Sequence, residues 1–206
     1  SNGHPSRKMS TMTTISINTG GSGSASMAFV IQLAVPRRAN TAPKMFEVAA
    51  LNDSAINSIV ADENFVVFTT DAGNVVCITA DGPKRLWQFD APEGIVPTPV
   101  RDGNDLYFAC KDTNVYKIDI TKGELIWKHQ TAAVMRKPPR VTKAVVYQNV
   151  DMKGLIALDK KSGGLMWQVD GGADLLAESG NGKKSYVITE SGVLVVMDNM
   201  SCKRIC

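Results

Sequence analysis

Three tryptophans, Trp87, Trp127 and Trp167, stand 40 residues apart (127 − 87 and 167 − 127). Two equal intervals with matching flanks define an internal repeat, which restricts the chain to serial copies of one small unit. Asp112, Asn114, Asp119 and Gly123 precede Trp127, and Asp151, Gly154, Asp159 and Gly163 precede Trp167 in the same order. Asp71 and Gly73 open the run before Trp87, where Thr79 and Gly82 replace the second acidic residue and glycine. A fourth copy starts at Glu190-Ser191-Gly192 and reaches Cys206 about where a tryptophan would fall.

Each copy reads as strands joined by turns. The runs 64–69, 105–109, 144–148 and 184–188 are apolar and β-branched or aromatic, and each is followed by an acidic residue and then Gly or Asn. Asp accepts backbone N–H groups inside a turn, and Gly or Asn tolerates the left-handed backbone that a tight hairpin needs. A second strand, a second turn (Asp119 to Gly123, Asp159 to Gly163), a third strand with the tryptophan and a short opening strand complete the unit. No 3.6-residue apolar period competes. Four antiparallel strands in about 40 residues make one propeller blade. The expected fold is all-β, a β-propeller of about four blades, which is a partial or half propeller.

The boundaries follow. Residues 1–26, rich in Ser, Thr, Gly and Asn, read as a flexible tail or linker. Residues 27–206 are blades: 49–88, 89–128, 129–168 and 169–206, the last without its outer strand. Residues 27–48 offer closing strands, since Pro43-Lys44 echoes Pro83-Lys84 at the same 40-residue distance. Three arrangements stay open: a piece of a longer propeller, two copies completing an eight-bladed ring as a homodimer, or four blades closing alone.

The pattern from Asp151 to Trp167 resembles the tryptophan-docking repeat of pyrroloquinoline-quinone (PQQ) type propellers. Asp112 to Trp127 matches it well, and the copies ending at Trp87 and Cys206 are degraded. Trp-Asp and kelch-type propellers are disfavoured, because the sequence has no Trp-Asp ending and no Gly-His opening and its period is short for kelch. The resemblance implies that Trp87, Trp127 and Trp167 dock blade to blade, each burying an indole whose N–H needs an acceptor. It also implies two classes of protein, the quinoprotein dehydrogenases, with PQQ and calcium on the propeller axis, and non-catalytic scaffolds such as the BamB-type propellers.

The residues favour the scaffold. The dehydrogenases that share the repeat carry adjacent cysteines, whereas Cys77, Cys110, Cys202 and Cys206 are dispersed. They need a further tryptophan, and all three here belong to the blades. Asp102, Asp112 and Glu178 are acidic candidates for a base or a calcium site, but they fall in turns, where such residues cap backbone groups. No catalytic residue, cofactor ligand or metal site is expected, and PQQ with calcium enters only under the alternative. A net charge of +3 gives no case for nucleic acid, and no apolar run is long enough for a membrane span. The expected partner is a protein, met on a loop face. The one local basic cluster, Arg136, Lys137, Arg140 and Lys143, is the candidate contact. BamB-like scaffolds imply an exported or periplasmic location, although no signal peptide is visible.

Overall fold

The computed structural model describes residues 28–32, 45–49, 56–61, 63–82, 84–95 and 97–205, the first two segments as backbone only. The expected tail 1–26, the Pro43-Lys44 pair and Cys206 lie outside the described residues. Among the described residues every regular element is a strand.

Four sheets of four antiparallel strands follow one another along the chain, each a simple meander. The first holds β3 (Ile56–Ala61), β4 (Phe65–Thr70), β5 (Asn74–Thr79) and β6 (Arg85–Asp90). The second holds β7 (Val100–Asp102), β8 (Asp105–Ala109), β9 (Asn114–Asp119) and β10 (Leu125–Gln130). The third holds β11 (Arg140–Val141), β12 (Val145–Val150), β13 (Gly154–Asp159) and β14 (Leu165–Val169). The fourth holds β15 (Gly172–Glu178), β16 (Lys184–Thr189), β17 (Leu194–Asp198) and β18 (Lys203–Arg204). Its outer strand is two residues long, and pairs Lys203 and Arg204 with Asp198 and Met197. Before the first blade, β1 (Ala28–Gln32) and β2 (Met45–Ala49) form a separate antiparallel hairpin.

The two middle strands of each blade are apolar on both faces. Val66, Val67 and Phe68 of β4 and Leu106, Tyr107 and Phe108 of β8 are all almost wholly buried. A sheet with one solvated face would alternate instead. The faces that meet a neighbouring blade are covered because blades stack side by side. Val67, Val75 and Cys77 pack on Leu106, Phe108, Tyr116 and Ile118 of the second blade. Tyr107, Ala109 and Val115 pack on Val146, Val150, Ile156 and Leu158 of the third. Tyr147, Leu155 and Ala157 pack on Leu175, Val187, Val195 and Met197 of the fourth. This is the side-by-side blade packing of a β-propeller, here in four blades.

The turn between the second and third strands explains its glycine in the first and third blades. Gly73 and Gly154 have φ of 92° and 93°. A Cβ on either would sit 2.2 Å from the Ala91 carbonyl oxygen or 2.3 Å from that of Val169, so no side chain fits.

Candidate partner-binding face

A meander puts its turns alternately at two ends. One end of the molecule carries the turns between the second and third strands and the connections from blade to blade; we call it the connection end. The other carries the remaining turns, including those with Asp119 and Asp159, and is the docking end.

At the docking end each indole reaches into the following blade. Trp87 Nε1 donates to the Ile120 carbonyl at 2.8 Å, and Trp127 Nε1 to the Lys160 carbonyl at 3.1 Å. Their rings lie on Gly123 and Gly163, where a Cβ would come within 2.6 Å of ring carbons. The turns receiving them are built by carboxylates. Asp119 accepts from the Thr121 amide at 2.7 Å and the Thr121 hydroxyl at 2.5 Å, and Asp159 accepts from the Ser162 amide and hydroxyl, both at 2.7 Å. Those hydroxyl bonds, joined by backbone N–H donors, hold both carboxyls below their usual range.

The third junction departs from this scheme. Cys202 occupies the glycine position with φ of 57°, and Trp167 Nε1 donates to the Asn199 side-chain Oδ1 at 2.9 Å instead of a main-chain carbonyl. Asn199 also accepts from Ser185 Oγ at 2.9 Å, and the Tyr147 hydroxyl binds Ser185 Oγ and Glu178 Oε1, each at 2.7 Å. Burial first, and the Glu178 carboxylate with it, push the Tyr147 phenol far up, so it stays a donor.

The connection end is held by the other turn residues. Asp112 accepts from the Asn114 amide at 3.0 Å and from the Tyr116 hydroxyl at 2.5 Å. Its burial raises its pKa, but these bonds outweigh that and leave it lowered. Asp151 accepts from Arg136 Nε at 2.6 Å, Asp71 sits in the exposed turn before Gly73, and Gly192 has φ of 80°. Four of the five non-glycine residues with positive φ lie at this end: Glu93, Thr113, Ala132 and Met152. Such backbone needs a surround that fixes it. Here Thr131 and Asp151 amides donate to the Thr113 and Val134 carbonyls at 2.8 and 2.9 Å.

Those bonds raise an apolar pair. Met152 is fully exposed, Val134 is 41% exposed, and the Asp151 amide–Val134 carbonyl bond ties their loops together. The Arg136 guanidinium flanks them on Asp151. Neither Met152 nor Val134 is marked in the sequence, since one apolar residue in a polar turn carries no periodic signal.

The basic cluster is divided. Arg136 and Lys137 lie at the connection end, Arg140 begins β11, and Lys143 is exposed in the β11–β12 turn at the docking end. Arg136 pairs with Asp151, Lys137 Nζ donates to the Ala173 carbonyl at 3.0 Å, and Arg140 donates to the Leu175 carbonyl. Both carbonyls belong to β15, so two of the four cations bind the third blade to the fourth.

The acidic candidates are likewise committed. Asp102 pairs with Lys160, Asp112 holds its own turn, and Glu178 takes the Tyr147 and Thr142 hydroxyls. Cys77 and Cys110 are buried, and burial, the largest cause, pushes the Cys110 thiol up to about 12. The described residues hold no cluster of three or more metal-ligating side chains. No two cysteines are adjacent in the sequence, and all three indoles are engaged between blades.

Serial four-stranded blades, the first three each handing an indole to the next, define a propeller of the PQQ-repeat class. The family model described as outer membrane protein assembly factor BamB matches residues 38–169 and, in a second alignment, 71–203, and the chain belongs to that family. The crystal structure of BamB from Moraxella catarrhalis superimposes with a TM-score of 0.59 at 16% identity, over 78% of this chain and 51% of that one. The chain thus spans about half the length of that relative. The computationally designed Ika4 protein gives 0.55 at 19% identity, over 71% of this chain and 92% of that one. A quinohemoprotein alcohol dehydrogenase from Pseudomonas putida HK5 gives 0.53 at 12% identity, over 75% and 34%. At these identities the likenesses show the fold. No curated protein matches the sequence.

Proposed function

We propose that this chain is a non-catalytic scaffold that binds a protein partner at its connection end, in an exported, periplasmic or outer-membrane-associated setting. The observation that carries the reading is the exposed Met152–Val134 pair beside Arg136, on loops tied together by the Asp151 amide–Val134 carbonyl bond and the Arg136–Asp151 pair. Met and Arg are enriched at protein interfaces, and a fixed loop loses little entropy on binding. Membership in a family described by an outer-membrane assembly factor supports a partner from that process. The engagement of Asp102, Asp112 and Glu178 with their own protein neighbours supports a function without bound quinone.

The test places a photo-crosslinking residue at Met152 or, as control, at the exposed Met200 of the docking end, in a bacterium lacking its own BamB. Crosslinks from position 152, but not 200, to a component of outer-membrane assembly are expected. Equal crosslinking from both positions, or none from 152, would refute the reading. A second arm adds PQQ and calcium to the purified protein. A stable, stoichiometric quinone absorbance would overturn the non-catalytic assignment.

A further inference from the structure

The docking end carries its charge unevenly. Its turns, taken with the strand residue on either side, divide by blade. In the first two blades the described residues there include Glu63, Asp81, Asp102, Asp105, Asp119 and Glu124 against Lys84, Arg85 and Lys122, a net of −3 (3 − 6). In the third and fourth they are Lys143, Lys160, Lys161, Lys183, Lys184 and Lys203 against Asp159, Glu178 and Asp198, a net of +3 (6 − 3). Arg204, next in β18, adds to the basic side. The small charge of the whole chain conceals this separation, because a field depends on where the charges stand.

The acids on the basic side are committed to their own surroundings. Asp159 takes the Ser162 amide and hydroxyl, Asp198 takes the Met200 and Ser201 amides at 2.8 and 3.1 Å, and Glu178 takes the Tyr147 and Thr142 hydroxyls. Lys160 is likewise spent, on Asp102 and the Thr142 carbonyl. Lys143, Lys161, Lys183, Lys184, Lys203 and Arg204 are all exposed, and among the described residues none of them forms an ion pair. Two apolar side chains stand with them: Met200, 76% exposed in the β17–β18 turn, and Leu165, 53% exposed at the start of β14.

Five lysines and one arginine are a poor surface for a protein partner, because lysine is depleted at protein interfaces. An ammonium is a compact, hydrated point charge on a flexible stem, which suits a diffuse layer of phosphates. We propose that the docking end of the third and fourth blades rests on an anionic phospholipid surface, its cations over the phosphates and Met200 and Leu165 in the headgroup layer. The contact is peripheral. It goes beyond the partner-binding reading and uses the opposite end of the blades, so either can fail without the other.

Co-sedimentation of the purified protein with lipid vesicles tests it. Binding is expected to vesicles of equal parts phosphatidylglycerol and phosphatidylcholine, falling as salt rises, and not to phosphatidylcholine alone. Lys161→Gln and Lys183→Gln are each expected to weaken it about fivefold. Lys111→Gln, which removes an exposed cation from the β8–β9 turn at the connection end, is expected to leave it unchanged. Circular dichroism checks that each variant is folded; if one is not, the other variant and the salt dependence of the wild type carry the test. Equal binding to the neutral vesicles, no binding to the mixed ones, or an equal loss with Lys111→Gln overturns the proposal. So does tighter binding to polyglutamate than to the mixed vesicles, which would make the occupant an acidic protein.

Discussion

Replacing Trp127 measures how strongly one blade holds the next. Its side chain is 7% exposed, its ring lies on Gly163, its N–H meets the Lys160 carbonyl at 3.1 Å, and Tyr107 tilts against it with ring centroids 6.0 Å apart. Trp127→Ala removes all of this, and large-to-small changes at buried aromatics cost about 3–5 kcal/mol. The Lys160 carbonyl is not fully abandoned, because Lys117 Nζ also donates to it at 3.2 Å. That places the hydrogen-bond share near the usual net of about 1 kcal/mol. Trp127→Phe, which keeps an aromatic ring and loses the donor, should therefore cost much less than Trp127→Ala. For a chain of this size each kcal/mol lowers Tm by about 2–4 °C, giving a fall of about 6–20 °C for the alanine variant. Urea unfolding followed by circular dichroism reads both variants. A repeat array is held by nearest-neighbour interfaces, so a weakened junction should also separate the two halves and broaden the transition. A loss below about 1 kcal/mol for Trp127→Ala would refute the argument, as would equal losses for the two variants.

The remaining predictions use the same junctions. Cys202→Gly should raise Tm slightly, because a side chain at φ of 57° is strained by about 1 kcal/mol and glycine is not; calorimetry checks it, and a lower Tm refutes it. His129 is held below its ordinary value, chiefly by burial, with a Gly163 backbone bond opposing. The unfolded chain then binds the extra proton first, so this contribution is complete above a pKa of about 6.5 and is lost as pH falls through the lower folded value. His129→Phe, the residue that Phe89 supplies at the first junction, should remove that pH dependence in urea melts. Asp119 and Asp159 are also lowered, so their contribution is present above about pH 4 and lost as pH falls through their folded values. Asp119→Asn with Asp159→Asn should flatten stability in that acidic window, and an unchanged profile would count against the turn assignment.

The blades were legible because their causes are local. Strand length, the Asp and Gly turn pair and the 40-residue tryptophan spacing all recur within a copy, and the four sheets fall on those copies. The Gly123 and Gly163 positions were legible as turn residues, but their second task, lying under an indole 36 residues earlier in the chain (123 − 87 and 163 − 127), was not. The spacing of Tyr107 and Tyr147, again 40 (147 − 107), was a visible signal for the junction-facing position. The basic cluster does not form one patch, because Arg136 and Lys143 are seven residues apart in sequence (143 − 136) but a strand separates them in space. Charge runs report proximity only when no element crosses between them.

The junctions also differ in a way that bears on function. Two residues after each tryptophan stand Phe89, His129 and Val169. At the first junction Phe89 meets Phe108 and Tyr116 edge-on, with centroids 5.9 and 5.8 Å apart. The residues equivalent to Phe108 and Tyr116 are Gln148 and Ile156 at the second junction, and Val187 and Val195 at the third, by strand register. Gln148 is 0% exposed and spends its amide on the Lys137 and Asn149 carbonyls, while its Oε1 has no partner. An aromatic core thus gives way to a polar and then an aliphatic one, compensated by Arg140 and Lys137 reaching to β15 and by the Tyr147–Ser185–Asn199 network. Apolar contacts tolerate small rotations between sheets, whereas directional hydrogen bonds fix them. Directional hydrogen bonds therefore help to set the angle between the third and fourth blades. Met152 and Val134 stand at the second junction, where the Asp151 amide–Val134 carbonyl bond and the Arg136–Asp151 pair tie the loop between the second and third blades to the β12–β13 turn.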